Sequence, residues 1–276
     1  MKKKYYVPLL HQSKISFYPF FRLGGFGLGN LLFPYFRSLC LSLKNGAILL
    51  YPNHYQFQPR NFLRERNLKS LRNYSKDFNK FSWSSINKFK SARIFYSRSF
   101  KSEKFIHEYP HIFFSGYNNY FYDLIQYRKL IQKFIIYSYG IQNFQIKNEV
   151  AFHLRLGDFI INKQYIEKEK ILYALEYFTK KLYVNVKIYS GSSYNQIKSF
   201  LEINNLPNKV TLVKSISPMN DLISMSKSKY ICGNPYSTFV EWARFINPES
   251  QESFSLLEKN KCKAINVTPL NWNNYL

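Results

Sequence analysis

The chain has 276 residues, and 46% of them are hydrophobic, so it can bury a sizeable core and is not a disordered protein. It carries 40 Lys and Arg residues against 16 Asp and Glu residues, a formal net charge of +24. A charge of this size attracts polyanions, which include nucleic acids, acidic lipid headgroups and phosphorylated substrates. Charge alone does not choose among them, and a basic surface that only keeps the chain soluble explains it equally well.

Cysteine usage and the N-terminal residues bear on the cellular compartment. Cys40, Cys232 and Cys262 lie far apart, which argues against a disulfide framework or a zinc site and favours a reducing compartment. Pro8 and His11 interrupt the first apolar stretch, which is too short and too polar for a signal peptide. No apolar run reaches the roughly 18 residues of a membrane span. We therefore expect a cytoplasmic protein, with peripheral contact at the inner face of the plasma membrane.

The N-terminal half begins with a glycine-rich loop, which residues 24–30 form with the sequence GGFGLGN. Apolar residues then recur at helical spacing over residues 30–44, and residues 47–51 predict a short buried strand. This order of loop, helix and strand indicates an α/β fold.

The middle of the chain is less regular. Residues 53–110 show no long period, and we expect short helices and loops there. Residues 124–137 predict an amphipathic helix, and Gly140 lies just past its end, where a cap belongs. The polar stretch 141–148 is the predicted link between two domains.

Strands alternate with helices through the C-terminal half. The predicted strands are 150–154, 186–189, 210–213, 230–232 and 264–267, and the predicted helices are 168–182, 194–204, 221–226 and 238–245. This alternation predicts a parallel sheet of Rossmann type. We therefore expect two consecutive α/β domains, residues 1–147 and 148–276.

The glycine loop is the first segment that could carry chemistry. Glycines ahead of a helix let backbone N–H groups approach a ligand, and the helix N-terminus favours negative charge. The spacing fits neither a Walker loop nor the standard dinucleotide fingerprint. A tight structural turn with Asn30 as the helix cap explains the loop equally well.

The second segment is residues 153–158, which read HLRLGD. Alternate side chains of a strand share a face, so Ala151, His153 and Arg155 point one way. Arg155 then emerges at the carboxyl end of the strand, where open α/β sheets bind ligands. Its guanidinium can grip a pyrophosphate through two parallel hydrogen bonds, while Asp158 holds the turn or orients Arg155. The alternative, a solvated Arg–Asp pair, leaves the convergence of three such side chains unexplained.

The third segment is residues 233–239, which read GNPYSTF and lead from a strand into a helix. The hydroxyls of Ser237 and Thr238, with the free N–H groups of the helix, suit the other side of a diphosphate. An ordinary N-cap role for Ser237 is the alternative, and the two roles are compatible. Together the three segments could stabilise the charge of a departing diphosphate without a metal, and the sequence has no Asp-x-Asp pair for a divalent cation.

In order and spacing, these segments resemble the α-1,2-fucosyltransferases of glycosyltransferase family 11. The H-x-R-x-G-D motif of that family is intact at residues 153–158, with Leu156 in place of its usual second Arg. Residues 25–35 resemble the G-G-L-G-N-Q-x-F-Q-Y block, with one extra residue and without the Gln positions. Residues 237–242 represent the S-x-F-S-W-W block without one Trp and one Ser, and residues 116–121 resemble the G-Y-F-Q-x-x-x-Y-F block.

The resemblance implies a GT-B-like pair of Rossmann-type domains facing a central cleft, with the acceptor on the N-terminal side. The C-terminal domain would bind the nucleotide sugar. It also implies an inverting transfer of L-fucose from GDP-L-fucose to an oligosaccharide, without metal or cofactor. In bacterial members the acceptor belongs to surface polysaccharides built on lipid carriers, which gives the basic surface a partner in anionic lipid.

The resemblance also assigns roles to single residues. Arg155 should bind the β-phosphate, and Asn30 should lie near the reacting sugar. The donor site is expected to include Gly27, Gly29, Asp158, Ser237, Thr238 and Phe239. His153 is a candidate general base by its chemistry, or else it packs against or orients the donor. Glu241 replaces a family aromatic and could face the site, although a glutamate in the middle of a helix is usually solvated.

Two rival hypotheses remain open from the sequence. One keeps the fold and the reaction but uses another nucleotide sugar. The other is a non-catalytic nucleic-acid-binding protein, which basic residues interleaved with aromatics would favour. Because it leaves the segments around Arg155 and Ser237 unexplained, we do not expect nucleic acid as the partner.

Overall fold

The computed structural model divides into two compact units, Met1–Ile141 and Gln142–Asn274, and each is described by itself. The division falls inside the polar stretch 141–148. The residues that the structure describes are 5–9, 16–17, 21–23, 27–49, 55–57, 71–73, 94–97, 111–115, 121, 124–141, 144–156, 167–234, 237–247, 253–255 and 266–267.

The first unit is built on a parallel sheet with the strand order β4-β1-β8-β7. A second sheet has the order β2-β3-β5-β6 and is mixed, because β3 and β5 are parallel while both outer pairs are antiparallel. The described elements of this unit are β1 (Tyr5–Leu9), β2 (Ser16–Phe17), β3 (Phe21–Leu23), α1 (Leu28–Lys44), β4 (Ile48–Leu49), β5 (Tyr55–Phe57), β6 (Leu71–Asn73), β7 (Ile94–Ser97), β8 (His111–Ser115), a 3₁₀ turn (Ile125–Tyr127) and α2 (Arg128–Ser138).

Helix α1 is the buried helix of this unit and packs against β1, β4 and β8. Two of its buried serines hydrogen-bond within the helix: the hydroxyl of Ser38 donates to the carbonyl of Pro34 at 2.8 Å, and that of Ser42 donates to the carbonyl of Leu39 at 2.8 Å. The guanidinium of buried Arg37 lies 5.8 Å from the centroid of the Phe33 ring. A helix buried on every side fixes the position of its N-terminus firmly.

Helix α2 ends in the manner that the sequence predicts. Gly140 adopts a left-handed conformation with φ of +61°, which a glycine reaches without steric cost. Its N–H donates to the carbonyl of Tyr137, and the N–H of Ile141 donates to the carbonyl of Ile136. This pair of bonds is a Schellman motif, so the predicted cap is confirmed.

The second unit is a sheet with the order β11-β10-β9-β12-β13-β14, parallel except for the last pair. One face of β9 lies in the hydrophobic core through Val150 and Phe152, and Leu154 continues it. Helices of this unit pack over that face. The described elements are β9 (Lys147–His153), α3 (Lys168–Glu176), a π-helical turn (Tyr177–Lys181), β10 (Asn185–Tyr189), α4 (Tyr194–Leu201), β11 (Val210–Leu212), α5 (Pro218–Ser226), β12 (Ser228–Gly233), α6 (Thr238–Ile246), β13 (Ser253–Ser255) and β14 (Asn266–Val267).

The predicted α/β class, with both units built on parallel sheets, is therefore confirmed. The expectation of short helices and loops over residues 53–110 is wrong where the structure describes that segment, because β5, β6 and β7 are strands. Each has only three or four residues, too few for an alternating pattern to stand out. The cleft between the units and the separate roles of the two domains remain predictions.

Among the residues that the structure describes, no helix has both the length and the apolarity needed to cross a membrane. Cys40 and Cys232 are free and buried, and burial raises the pKa of both thiols, that of Cys232 to about 12. Neither thiol is therefore an activated nucleophile near neutral pH. Cys262 lies outside the described residues.

Candidate functional site

The order of strands in the second unit defines one special position at the carboxyl edge of its sheet. The chain begins in the middle with β9, adds β10 and β11 on one side, and then returns to place β12 and β13 on the other. Between β9 and β12 the direction of winding reverses. In open α/β sheets, ligands bind beyond the carboxyl ends of the strands at such a reversal.

The carboxyl ends of β9 and β12 leave no room for a side chain between them and α6. Gly233, the last residue of β12, pairs with His153, the last residue of β9. A Cβ added at Gly233 would lie 2.9 Å from Cγ2 of Val240 and 3.0 Å from the backbone oxygen of His153. Only glycine fits there, so this position brings β9, β12 and the first turn of α6 into direct contact.

Strand β9 sends alternate side chains to opposite faces, as predicted. Phe152, Leu154 and Leu156 belong to the hydrophobic core, whereas Arg155 is exposed beyond the carboxyl end of the strand. The N–H of Leu154 donates to the carbonyl of Tyr189 at 2.9 Å, which continues the pairing with β10 past His153. The core position of Leu156 accounts for the hydrophobic residue where the resembling family has a second Arg.

His153 is held between the sheet and helix α6. Its ring centroid lies 5.0 Å from that of Phe239, with a tilt of 33° between the rings. Atom Nδ1 is buried and has no hydrogen-bond partner among the described residues. Burial, followed by the charge of Arg155, lowers the pKa of His153 to about 3. An imidazole with such a pKa is a poor proton acceptor, so this geometry favours the packing or orienting role over that of general base.

Ser237 occupies the N-cap position of α6 but does not cap the helix with its side chain. The N–H of Ser237 donates to the carbonyl of Asn234 at 2.9 Å, while Oγ is buried and has no hydrogen-bond partner among the described residues. The two other serine N-caps of this unit behave differently: Oγ of Ser193 accepts from the N–H of Gln196 at 3.3 Å, and Oγ of Ser217 accepts from that of Asn220 at 3.2 Å. The ordinary N-cap reading of Ser237 is therefore wrong.

The first turn of α6 thus presents several hydrogen-bonding groups at the carboxyl edge. Helix geometry leaves the N–H groups of Thr238, Phe239 and Val240 without an intrahelical carbonyl. Together with the hydroxyl of Ser237, these groups make a turn suited to an anion, and the helix dipole adds to the attraction.

Glu241, on the next turn of α6, is not a solvated residue. Its carboxylate forms an ion pair with Arg244 at 2.5 Å, and Arg244 also donates to the carbonyl of Ile231 at 3.3 Å. Burial raises the pKa of Glu241 despite the nearby guanidinium. The sequence signal for this pair was the Glu-x-x-Arg spacing, which places both side chains on one helix face. The pair links α6 to β12 just before Gly233.

The predicted residues of the first unit surround the N-terminus of α1. Gly27 is the N-cap, and its carbonyl accepts from the N–H groups of Asn30 at 3.1 Å and Leu31 at 3.3 Å. Asn30 therefore lies inside the helix, so its reading as the helix cap is wrong. Gly29 is buried in the same turn, and the Oδ1 atom of Asn30 is buried without a hydrogen-bond partner among the described residues.

The structure thus brings together His153, Arg155, Ser237, Thr238 and Phe239 at one edge of one sheet. Gly27, Gly29 and Asn30 belong to the other unit. Asp158 and residues 24–26 lie outside the described residues. A buried polar atom without a hydrogen-bond partner is costly in a folded chain, and three of the predicted residues, Asn30, His153 and Ser237, each hold one.

Within the described ranges, no three His, Cys, Asp or Glu side chains come together as a metal site. Metal independence itself remains a prediction.

No family model and no curated protein matches the chain. Among solved structures, the chain is similar to POFUT1 in complex with GDP, with 13% identity and a TM-score of 0.47 over 92% of this chain and 98% of that one. It is also similar to the fucosyltransferase NodZ from Bradyrhizobium, with 13% identity and a TM-score of 0.48 over 92% and 96%. Likeness of this order says nothing about the substrate or the reaction of this chain.

Alanine substitutions at Ser237 and Ser217 should affect the free energy of unfolding differently. Ser237→Ala should leave the free energy of unfolding unchanged or raise it, because the substitution removes a buried hydroxyl that has no partner. The matched control Ser217→Ala should lower it by about 1 kcal/mol, because that hydroxyl caps α5. Urea unfolding measures both, and an equal loss in the two variants would show that Ser237 is an ordinary cap.

The buried histidine gives a second test. Because the pKa of His153 is about 3 in the folded chain and about 6.5 in the unfolded one, the unfolded state binds the extra proton first. Above about pH 6.5, His153 is neutral in both the folded and the unfolded chain. As the pH falls from there towards about 3, His153 increasingly lowers the free energy of unfolding. Its Cε1–H resonance, assigned with a His153→Asn variant, should show no titration midpoint near pH 6.5. A midpoint there would contradict the described burial.

Proposed function

We propose that the chain is an inverting glycosyltransferase that transfers a sugar from a guanosine-diphosphate donor to a glycan. L-fucose is the sugar that the motif resemblance favours. The observation that carries the proposal is the juxtaposition of Arg155 with the first turn of α6, at the reversal point of the sheet. The unpartnered hydroxyl of Ser237 lies in that turn.

This arrangement suits the departure of a diphosphate. When the bond between the sugar and the β-phosphate breaks, negative charge grows on the phosphate oxygens. A guanidinium can bind two of these oxygens with parallel hydrogen bonds, and the N–H groups of Thr238 and Phe239 can bind others. Because these donors are fixed before the reaction, they stabilise the charge as it develops and need no metal to do so.

The proposed reaction is a single displacement. A hydroxyl oxygen of the acceptor attacks the anomeric carbon from the face opposite the diphosphate, so the configuration at that carbon inverts. The carbon–oxygen bond to the β-phosphate breaks, and its electron pair leaves with GDP. The proton of the attacking hydroxyl passes to a base, and His153 serves to orient the donor through its neutral ring, packed on Phe239.

The finer parts of the proposal come from the family resemblance. They are an α-1,2 linkage, an oligosaccharide acceptor of a lipid-linked surface polysaccharide, and a cytoplasmic location at the inner face of the plasma membrane. In the same scheme Asn30 lies near the reacting sugar, with Gly27 and Gly29 beside it, and Asp158 steadies the turn after Arg155.

Isothermal titration with GDP tests the role of Arg155. Arg155→Ala should weaken GDP binding by about 10- to 100-fold, because it removes charge-assisted hydrogen bonds to the phosphates. The control Lys180→Ala removes the same charge from an exposed side chain on the turn that leads into the amino end of β10. It should bind GDP like the wild type, and circular dichroism should show both variants folded.

The ligand series separates the alternatives. Binding of GDP and GDP-L-fucose, with none of UDP-sugars, agrees with the proposal, whereas preference for a UDP-sugar would keep the reaction class and change the donor. Unchanged GDP affinity in Arg155→Ala would refute the site. Tight, salt-sensitive binding of oligonucleotides without binding of any nucleotide sugar would favour the nucleic-acid alternative.

A further inference from the structure

A second feature of the same sheet is the set of basic residues at its amino edge, opposite the candidate site. Lys147 is the first residue of β9, while Lys209 and Lys227 immediately precede β11 and β12. Lys181 ends the π-helical turn that leads through Tyr183 into β10. Because β11, β10, β9 and β12 are parallel neighbours, their amino ends lie side by side. We call Lys147, Lys181, Tyr183, Lys209 and Lys227 the amino-edge surface.

Tyr183 and Lys209 are held against each other in a conformation that is unfavourable for both. They have φ of +53° and +71°, in the left-handed region that side chains with a Cβ rarely adopt. Nζ of Lys209 donates to the carbonyl of Tyr183 at 3.4 Å and lies 5.1 Å from the centroid of its ring. Tyr183 is nevertheless 75% exposed. Backbone strain that persists at an exposed aromatic points to a function for the side chain.

The lysines of this surface are not neutralised by described carboxylates. Among the described residues, no ion pair joins any of the four to an acid, and the nearby Glu149 and Glu176 pair with Lys187 and Lys180. Lys181 and Lys227 lie over the rings of Tyr177 and Phe144, contacts that leave their charge in place. The backbone N–H of Lys147 donates to the carbonyl of Lys227 at 2.8 Å, so two of these lysines are immediate neighbours. Burial, and then the charge of Lys147, lowers the pKa of Lys227. An anion bound between them would relieve this repulsion.

A purely structural explanation covers part of this surface. Lys181 is the last residue of one helical segment and Lys227 is the C-cap of another, and a positive charge at such an end stabilises the helix dipole. That explanation does not extend to Lys147, which begins β9, or to Lys209, which precedes β11. It also gives no reason for an exposed tyrosine in a left-handed backbone, where a glycine would cost less.

We propose that the amino-edge surface docks on a bilayer that contains anionic lipids. Lysines near such a bilayer are attracted to its phosphates, and a tyrosine is suited to the headgroup layer, because its ring is apolar and its hydroxyl is polar. A nucleic acid fits the surface less well. Base stacking needs an open aromatic face, and the ammonium of Lys209 already covers one face of the Tyr183 ring.

Docking in this way has a geometric consequence for the second unit. The amino edge of a parallel sheet is opposite its carboxyl edge, so Arg155 and the first turn of α6 would face away from the lipid. The donor site would then remain open to a nucleotide dissolved in the cytoplasm. The inference depends on the amino-edge surface and not on the transferase proposal, so vesicle binding and GDP binding can fail independently.

Co-sedimentation with vesicles tests the inference on the full chain. Wild-type protein should sediment with mixed phosphatidylserine–phosphatidylcholine vesicles, release at high salt, and not sediment with phosphatidylcholine alone. A double variant, Lys147→Ala with Lys181→Ala, should lower the partition coefficient by about fivefold for each lysine removed. The control Lys129→Ala with Lys214→Ala removes the same charge from exposed lysines of α2 and of the carboxyl edge, and it should bind nearly as well as wild type.

Tyr183→Gly separates function from stability. A glycine relieves the left-handed strain, so urea unfolding should show no loss of stability, while vesicle binding falls several-fold and GDP binding is unchanged. Equal loss of vesicle binding in the lysine variant and its control would overturn the proposal, because net charge alone would then explain it. Absence of vesicle binding at low salt would also overturn the proposal. So would a result in which the same lysines bind an oligonucleotide and the chain does not bind vesicles.

Discussion

The close contact between the carboxyl ends of β9 and β12 is the constraint on which the candidate site depends. Gly233 has no side chain, so the backbone of β12 can lie against His153, and Val240 can pack over both. Any larger residue would push β12 away from β9 or displace helix α6. With glycine there, Arg155 at the end of one strand and the N-terminus of α6 at the end of the next become neighbours by geometry alone.

The groups in this contact are arranged for binding more than for stability. A buried imidazole that stays neutral, a buried serine hydroxyl that caps nothing, and open N–H groups at a helix start all carry a cost in the folded chain. The Glu241–Arg244 pair and its bond to the carbonyl of Ile231 join α6 to β12 beside these groups. Under the two proposals, one parallel sheet uses its carboxyl edge for a nucleotide and its amino edge for a membrane.

How well the sequence predicts a helix or a strand depends on the length of that element. Strands such as Asn185–Tyr189 and helices such as Thr238–Ile246 are long enough, and bounded clearly enough, for sequence pattern to locate them within a few residues. The three-residue strands Tyr55–Phe57 and Leu71–Asn73 offer no period, and their pairing depends on residues distant in sequence. Strand alternation likewise predicted that Arg155 lies on the face opposite the core residues Leu154 and Leu156, because period two continues past the end of β9.

Other parts of the site could not be read from sequence. Whether Ser237 caps its helix depends on a side-chain rotamer, and a serine just before a helix, like Ser217, predicts a cap in either case. A glutamate in the middle of a helix is usually solvated, and Glu241 is partly buried only because its helix packs against the sheet. No local sequence pattern shows that packing. The departure at Leu156 became understandable only when the structure placed it in the core.

A crystal structure of the chain with GDP tests the central claim most directly. We expect the β-phosphate at the carboxyl edge, within hydrogen-bond distance of the Arg155 guanidinium, the Ser237 hydroxyl and the N–H groups at the start of α6. Density for the diphosphate at any other surface, with Arg155 and Ser237 untouched, would contradict the account.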